Sequence, residues 1–347
     1  MEIDWKNVRR VLVVRLRSIG DTVLATPSLI ALKNFLPNAK IDILLEDWVA
    51  PVLDGFEAVD DVISIPKNHA ARAKTAWDLR KNCYDVAFNL HGGTTGTFFT
   101  FASGAKHRIG YREYQYSFLY NHLLTSAADF WQQERTHSAE QQLALLGAVG
   151  VPVEDKPKSR LSVTSSAAAS LEAKLHERAK TDPGSFALIH PAAAFETKQW
   201  PTENFARTAE FLNEIGLTTV AVAAKHERTI LEKLAAEAKV PIVVFDDLSL
   251  PEITALASRA KLFVGNDSGI AHIAGAVNTP SVVIFGSSNR DHWRPWTDAP
   301  NEVVFEEFSC QPCAGHECRQ FGTPKCILSV RPPAVFEAVE RVLRVNE

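Results

Sequence analysis

VLVVRLRSIGDTVLATPSLIALKNFLP, residues 11–37, decides the fold. Its first six residues form the near-continuous apolar run of a strand buried on both faces. A short SIGD turn follows. Leu24, Leu29, Leu32 and Phe35 then recur at helical spacing until Pro37 stops the pattern. Strand, tight turn and helix open a parallel α/β unit, because the next parallel strand can be reached only by a crossover.

The same reading extends along the chain. KIDILLE (40–46), DVISI (61–65) and YDVAFNL (84–90) read as strands, with helical stretches near 70–82 and 138–149. GVPVEDKPKSRLSVTS (150–165) has two prolines, mixed charge and little periodicity, and reads as a linker. A second alternating run follows in FALIHP (186–191), TTVAVAA (218–224), IVVF (242–245), KLFVG (261–265) and SVVIF (281–285). The expected organisation is therefore two doubly wound parallel-sheet α/β domains, Rossmann-like, over 1–160 and 161–330, facing a central cleft. A C-terminal helix in 331–347 is expected to fold back on the first domain. In such sheets ligands bind outside the carboxyl ends of the strands, so those loops are where chemistry is sought.

With 46% apolar and 22% charged residues, the 347-residue chain has the composition of a soluble globular protein. No apolar run approaches the roughly 18 residues of a spanning helix, and the charged start is unlike a secretory signal; the expected address is the cytoplasm. A net charge of -4 argues against a nucleic-acid binder. Charge is unevenly spread: residues 1–165 carry +1 and the rest -5. Residues 67–81, KNHAARAKTAWDLRK, hold five Lys/Arg and one Asp, which suits a solvated helix face or an anionic substrate or membrane surface.

Four loops at strand ends carry candidate chemistry. In GNDSGIAH (265–272), Asp267 and Ser268 fall at a helix N-terminus, where free N–H groups and the helix dipole suit a phosphate. Gly269 admits close backbone approach there, and His272 lies one turn on. The competing reading is simple capping by Asp or Ser. Gly20 and Asp21 stand at the equivalent turn of the first domain, where a carboxylate can act as general base or as an N-cap. Nearby Arg15 and Arg17 suit an anionic acceptor or a structural ion pair. Thr197 and Lys198 lie in the loop after FALIHP, where a lysine can neutralise charge on a leaving diphosphate. Glu227, beyond TTVAVAA, can accept from a ribose or serve its own helix start.

Cys310, Cys313, Cys318 and Cys326 cluster near the C-terminus, with His316 among them. Their C-x2-C-x4-C-x7-C spacing allows a structural zinc site or reduced thiols, and a cytoplasmic address disfavours disulfides. Cys83 reads as core. No GxGxxG follows the first strand, and neither a P-loop motif nor an Asp-x-Asp pair occurs, so dinucleotide, P-loop and metal-held sugar-nucleotide chemistry lack support.

RLRSIGDTVLATPSLIALKNFLP, HPAAAFETKQWP and VGNDSGIAHIAGAVNTPSVVIFG together resemble, in order and spacing, glycosyltransferase family 9, the ADP-heptose:lipopolysaccharide heptosyltransferases. The resemblance spans nearly the whole chain, and the cysteine cluster is similar to that of second-heptosyltransferase-like members. It implies a GT-B fold with acceptor in the first domain and ADP-sugar in the second. It assigns Asp21 as catalytic base, Lys198 as donor-phosphate lysine, Glu227 as ribose ligand, and Asp267, Ser268, Gly269 and His272 as the donor loop. The implied reaction is an inverting, metal-independent displacement requiring no cofactor. The implied acceptor is an anionic lipid-linked saccharide at the inner face of the membrane, which Arg72, Lys74, Arg108 and Arg112 would suit. A monomer, peripheral to the inner membrane, is expected. Ala192 replaces a frequent Gly, Ser268 a frequent Thr and Ile270 a frequent Pro. A member with another nucleotide sugar or acceptor, and a nucleotide-sugar binder without turnover, are the alternatives.

Overall fold

The computed structural model describes residues 2–179, 184–313 and 315–345. The chain divides into two compact units, Met1–Ser162 and Val163–Glu347.

Six strands build the first unit: β1 (Arg10–Leu16), β2 (Lys40–Glu46), β3 (Asp61–Ile65), β4 (Val86–Asn89), β5 (His107–Tyr111) and β6 (His122–Leu124). They form one parallel sheet in the order β3-β2-β1-β4-β5-β6. Successive strand residues point to opposite faces, so β1 carries an unbroken apolar run from Val11 to Val14. Leu12, Val14 and Leu16 meet Ala76 and Leu79 of the helix His69–Lys81 and Phe99 of the helix Gly93–Ala102. Val11 and Val13, on the other face, are equally buried, and helices Thr26–Phe35 and Ser138–Gly147 pack together.

The second unit repeats the plan with β7 (Phe186–His190), β8 (Thr218–Val222), β9 (Ile242–Phe245), β10 (Leu262–Asn266), β11 (Ser281–Phe285) and β12 (Asn301–Phe305). The parallel order is β12-β11-β10-β7-β8-β9. Trp200, Phe205 and Leu212 pack on one face with Val335, Val339 and Val342.

Those three valines belong to the C-terminal helix. Pro332–Arg344 lays its apolar stripe into the second unit's own core, against β11, β12 and the helix Thr202–Glu214. Burying each valine contributes about 1.5–3 kcal/mol, so this face is committed there. Residues 346–347 of the expected 331–347 segment lie outside the described residues. Cys83, expected in the core, is instead exposed, just beyond the helix His69–Lys81.

Strands β5, β6 and β12 and the helix Gly93–Ala102 escaped the sequence reading. HRIGY and HLL are short and mixed in polarity, and NEVVF is a half-buried edge. GTTGTFFTFA is poor in helix formers; it folds as a helix because Phe99 and Thr100 find a buried face against the sheet.

Candidate active site

In each sheet the chain order reverses once: between β1 and β4 in the first unit, and between β7 and β10 in the second. Crossovers leave these two neighbours in opposite directions and open a crevice at their carboxyl ends. Asp21 stands at the first of these places, and Lys198 and Asp267 at the second.

In the first unit Gly20 and Asp21 follow β1, in the short helix Ile19–Val23. The Asp21 carboxylate pairs with the Arg15 guanidinium and accepts from Ser18 Oγ at 3.1 Å and Ser18 N at 3.3 Å. A capping box is therefore present, while the Asp21 side chain keeps 22% of its exposure. Arg15 is buried, donating to Leu90 O at 2.8 Å and Asp21 O at 3.2 Å. Its guanidinium is held against the Asp21 carboxylate and these two carbonyls. Arg17 is exposed beside it, and Arg112 is exposed just past the carboxyl end of β5. Arg108 stands at the opposite, amino end of β5, donating to Ala105 O at 2.6 Å and Leu119 O at 2.7 Å. Its guanidinium is spent on these carbonyls, so it does not belong with Asp21.

His91, which the sequence reading passed over, completes this end of the crevice. It follows β4, and its Nδ1 lies 3.5 Å from Arg15 Nη1. Burial first, and then the Arg15 charge, push its pKa down to about 4, so the ring is neutral at pH 7. Asn89 fixes its loop: the buried Oδ1 accepts from His91 N at 3.0 Å and Gly92 N at 2.9 Å, while Nδ2 donates to Tyr120 OH at 2.6 Å. NLHGG at the end of a legible strand was the available signal.

In the second unit Lys198 follows β7 and Asp267 follows β10. Lys198 Nζ donates to Asp267 Oδ2 at 2.7 Å, and Ser288 Oγ donates to the same oxygen at 2.5 Å. Asp267 is buried and Lys198 is about one-fifth exposed. Asn266 ties the two loops, accepting from Trp200 N at 3.0 Å and donating to Pro191 O at 2.9 Å. Ser268 precedes the helix Gly269–Ala276, yet its side chain makes no cap hydrogen bond. Its Oγ is buried with no hydrogen-bond partner among the described residues. Neither Asp267 nor Ser268 is thus acting as the local cap that the sequence allowed. The open first turn of this helix, an orphan hydroxyl and a lysine together favour an anionic ligand. His272 is buried one turn in.

Thr197 has a different part. Its hydroxyl donates to Gly315 O at 2.9 Å and accepts from Ser287 Oγ at 2.9 Å, so it holds the lysine loop in place. Gly286 presses on the same loop: a Cβ there would stand 2.1 Å from Thr197 O. Glu227 lies beyond β8, half-buried, its Oε2 accepting from Ala224 N at 2.9 Å. Cys310, Cys313, Cys318 and Cys326 are free thiols. Burial, with a smaller contribution from the other three thiols, raises the Cys326 pKa. Among the described residues no group of three or more His, Cys, Asp or Glu is placed to hold a metal ion.

The model for glycosyltransferase family 9 (heptosyltransferase) matches residues 72–322. Lipopolysaccharide heptosyltransferase 3 of Escherichia coli is 28% identical, over 94% of this chain and 97% of its own. A glycosyltransferase family 9 structure from Veillonella parvula superposes with a TM-score of 0.83 at 19% identity, covering 99% of each chain. The E. coli ADP-heptose LPS heptosyltransferase II structure gives 0.77 at 21% identity, over 97% of this chain and 99% of its own. These structures share the GT-B architecture of paired parallel sheets.

Proposed function

From the premise that the chain belongs to glycosyltransferase family 9, we propose that it transfers heptose from ADP-heptose to a hydroxyl of the lipopolysaccharide inner core, with inversion and without a metal ion. The observation that carries this reading is the unsatisfied cradle of the second unit: Ser268 Oγ without a partner beside the Lys198–Asp267 pair and the helix start at Gly269. A diphosphate supplies the acceptor oxygens those groups lack.

Each group then has a task. Lys198 and the N–H groups of the first helical turn hold the donor diphosphate and stabilise charge as its bond to the anomeric carbon breaks. Asp267 aims the lysine, Glu227 receives the ribose hydroxyls, and His272 backs the Ser268–Gly269 turn. Thr197 serves the same site by fixing the lysine loop. In the first unit Asp21 takes the proton of the acceptor hydroxyl as that oxygen attacks the anomeric carbon. Arg15 and neutral His91 position this carboxylate, and Arg17 and Arg112 attract the anionic lipid-linked saccharide. ADP departs with the electrons of the broken bond. The diphosphate's charge is met by lysine and backbone, and Asp267, already engaged by Lys198 and Ser288, is not an open carboxylate for a bridging cation. Zinc, if held by Cys310, Cys313, Cys318 and Cys326, would be structural. The working form is a cytoplasmic monomer at the inner face of the membrane, with no nucleic-acid partner.

A nucleotide-sugar binder without turnover is the second reading, favoured by the capping box that already employs Asp21. Calorimetric titration with ADP, ADP-heptose, UDP-glucose and NAD, without added metal, tests the donor. Binding confined to ADP and ADP-heptose is expected. Binding of UDP-glucose alone would overturn the donor, and a transfer assay on the Asp21→Asn variant separates catalysis from binding.

A further inference from the structure

Beyond the two crevices, the first unit carries an aromatic face that its core does not use. The helices His69–Lys81 and Gly93–Ala102 turn Ala76, Leu79 and Phe99 inward against the sheet. Their outer faces hold Trp77 (64% exposed), Phe98 (52%) and Phe101 (50%). Positions 73 and 77 on the first helix, and 94, 98 and 101 on the second, follow the three-to-four spacing of one helical stripe. The stripes adjoin: Arg72 and Ala73 share a 370 Å³ groove with Thr94, Thr95 and Phe98. The loop after β5 extends the face. Thr97 Oγ1 donates to Gln115 O at 3.2 Å, and Tyr116 (50% exposed) and the neighbouring Phe118 (78%) have ring centroids 6.2 Å apart. Arg108, bound to Leu119 O at 2.7 Å, lies over the Phe101 ring at 5.8 Å and links loop to helix.

The charge around this face is one-sided. Residues 67–81 and 93–118 together carry eight Lys/Arg against two acids, Asp78 and Glu113. Lys74 and Lys81 both reach the Asp78 carboxylate at 3.1 Å, so that acid is neutralised locally. Lys81 also lies 5.7 Å from the Trp77 ring centroid. A protein surface that buries aromatics against a second copy of itself would set these cations against each other. Tryptophan and phenylalanine ringed by lysine and arginine instead match the polar–apolar boundary of an anionic bilayer, where rings enter the headgroup layer and cations meet lipid phosphates. Among the described residues no helix is long and apolar enough to cross a membrane, so attachment by such a face would be peripheral.

We propose that the outer face of helices His69–Lys81 and Gly93–Ala102, with the Tyr116–Phe118 loop, is a docking surface for an anionic lipid bilayer. This deepens the membrane part of the functional reading by naming the surface. It does not depend on the sugar chemistry, since vesicle binding and ADP titration are read separately. Arg72 both lines the groove and bonds Glu46 at the carboxyl end of β2, at 3.5 Å. Arg72 thus links the groove to the carboxyl end of the sheet, the end at which Asp21 stands.

The test is co-sedimentation of the full chain with phosphatidylglycerol-containing and pure phosphatidylcholine vesicles, at low and raised salt. Binding to the anionic vesicles is expected, at least about tenfold stronger than to the neutral ones and weakened by salt. Trp77→Ser with Phe118→Ser should lower it by about tenfold or more, and Lys74→Glu with Lys81→Glu by a comparable factor. Far-UV circular dichroism and a cooperative melt verify that these surface variants fold, and ADP binding should not change. Equal partition of parent and both variants, or no parent binding to anionic vesicles, would overturn the proposal. So would a parent dimer that ignores vesicles and is split by Trp77→Ser, because the face would then belong to a second copy.

Discussion

Replacing Lys198 by alanine separates what the second-unit crevice does for the fold from what it does for the ligand. In the free protein Lys198 Nζ neutralises Asp267, 2.7 Å away and buried. After truncation that carboxylate keeps, among the described residues, the Ser288 hydroxyl alone. Breaking a fully buried pair from one side costs about 3–5 kcal/mol. Lys198 is about one-fifth exposed, so water reaches the vacated position and a loss of about 2–3 kcal/mol is expected. For a unit of this size that is roughly 5–10 °C in melting temperature. Lys198→Ala with Asp267→Asn removes the stranded charge and should restore most of the stability. ADP affinity follows a different logic: the lysine is lost in both variants, so both should bind ADP at least about tenfold more weakly. Differential scanning calorimetry and ADP titration on the parent, the two single variants and the double variant give the coupling directly. If Lys198→Ala leaves melting and ADP affinity unchanged, the pair is neither a structural contact nor a ligand site and the reasoning fails. If the double variant regains ADP binding, the lysine is structural alone.

Three further outcomes follow from the same geometry. Asp21→Asn should lower transfer by about 10²–10⁴-fold with ADP affinity unchanged, whereas a purely capping aspartate would cost about 1 kcal/mol of stability and little activity; steady-state kinetics beside urea unfolding distinguish the two. His91, held at a pKa of about 4 against an ordinary 6.5, binds protons more readily when unfolded. Its stabilising contribution is therefore full above pH 6.5 and falls as the pH drops towards 4, by up to about 2–3 kcal/mol after allowing for its partial exposure. Unfolding of the parent and His91→Gln across that range should show a shallower slope in the variant, and parallel slopes would refute the assignment. Gly286→Ala would set a methyl group 2.1 Å from Thr197 O, forcing the lysine loop to shift at a cost of about 1–3 kcal/mol and weakening ADP binding; an unaltered melt would mean that the loop is not pinned.

Much of this protein was legible in one dimension. The apolar runs of β1, β2, β4, β7, β8, β10 and β11 announced buried parallel strands, and the loops after β1, β7 and β10 held Asp21, Lys198 and Asp267, because ligand crevices open at strand ends. Strand order, however, is a property of pairing between distant segments. The reversal of β1 against β4, which makes NLHGG part of the site and brings His91 to Arg15, has no local signature. Side-chain roles were decided in the same way. Arg15 and Arg108 are both arginines in strands, yet Leu90 O claims one beside Asp21 and Leu119 O holds the other at the far end of its sheet. Ser268 reads as a helix cap in sequence and makes no cap bond in the fold, while the residue before it is claimed by Lys198, 69 positions away. Periodicity and turn chemistry are set by neighbours along the chain, so the sequence by itself determined the long apolar elements and the strand ends that follow them. The partner that each polar group finds depends on which strands lie side by side, and only the packed tertiary structure decides that.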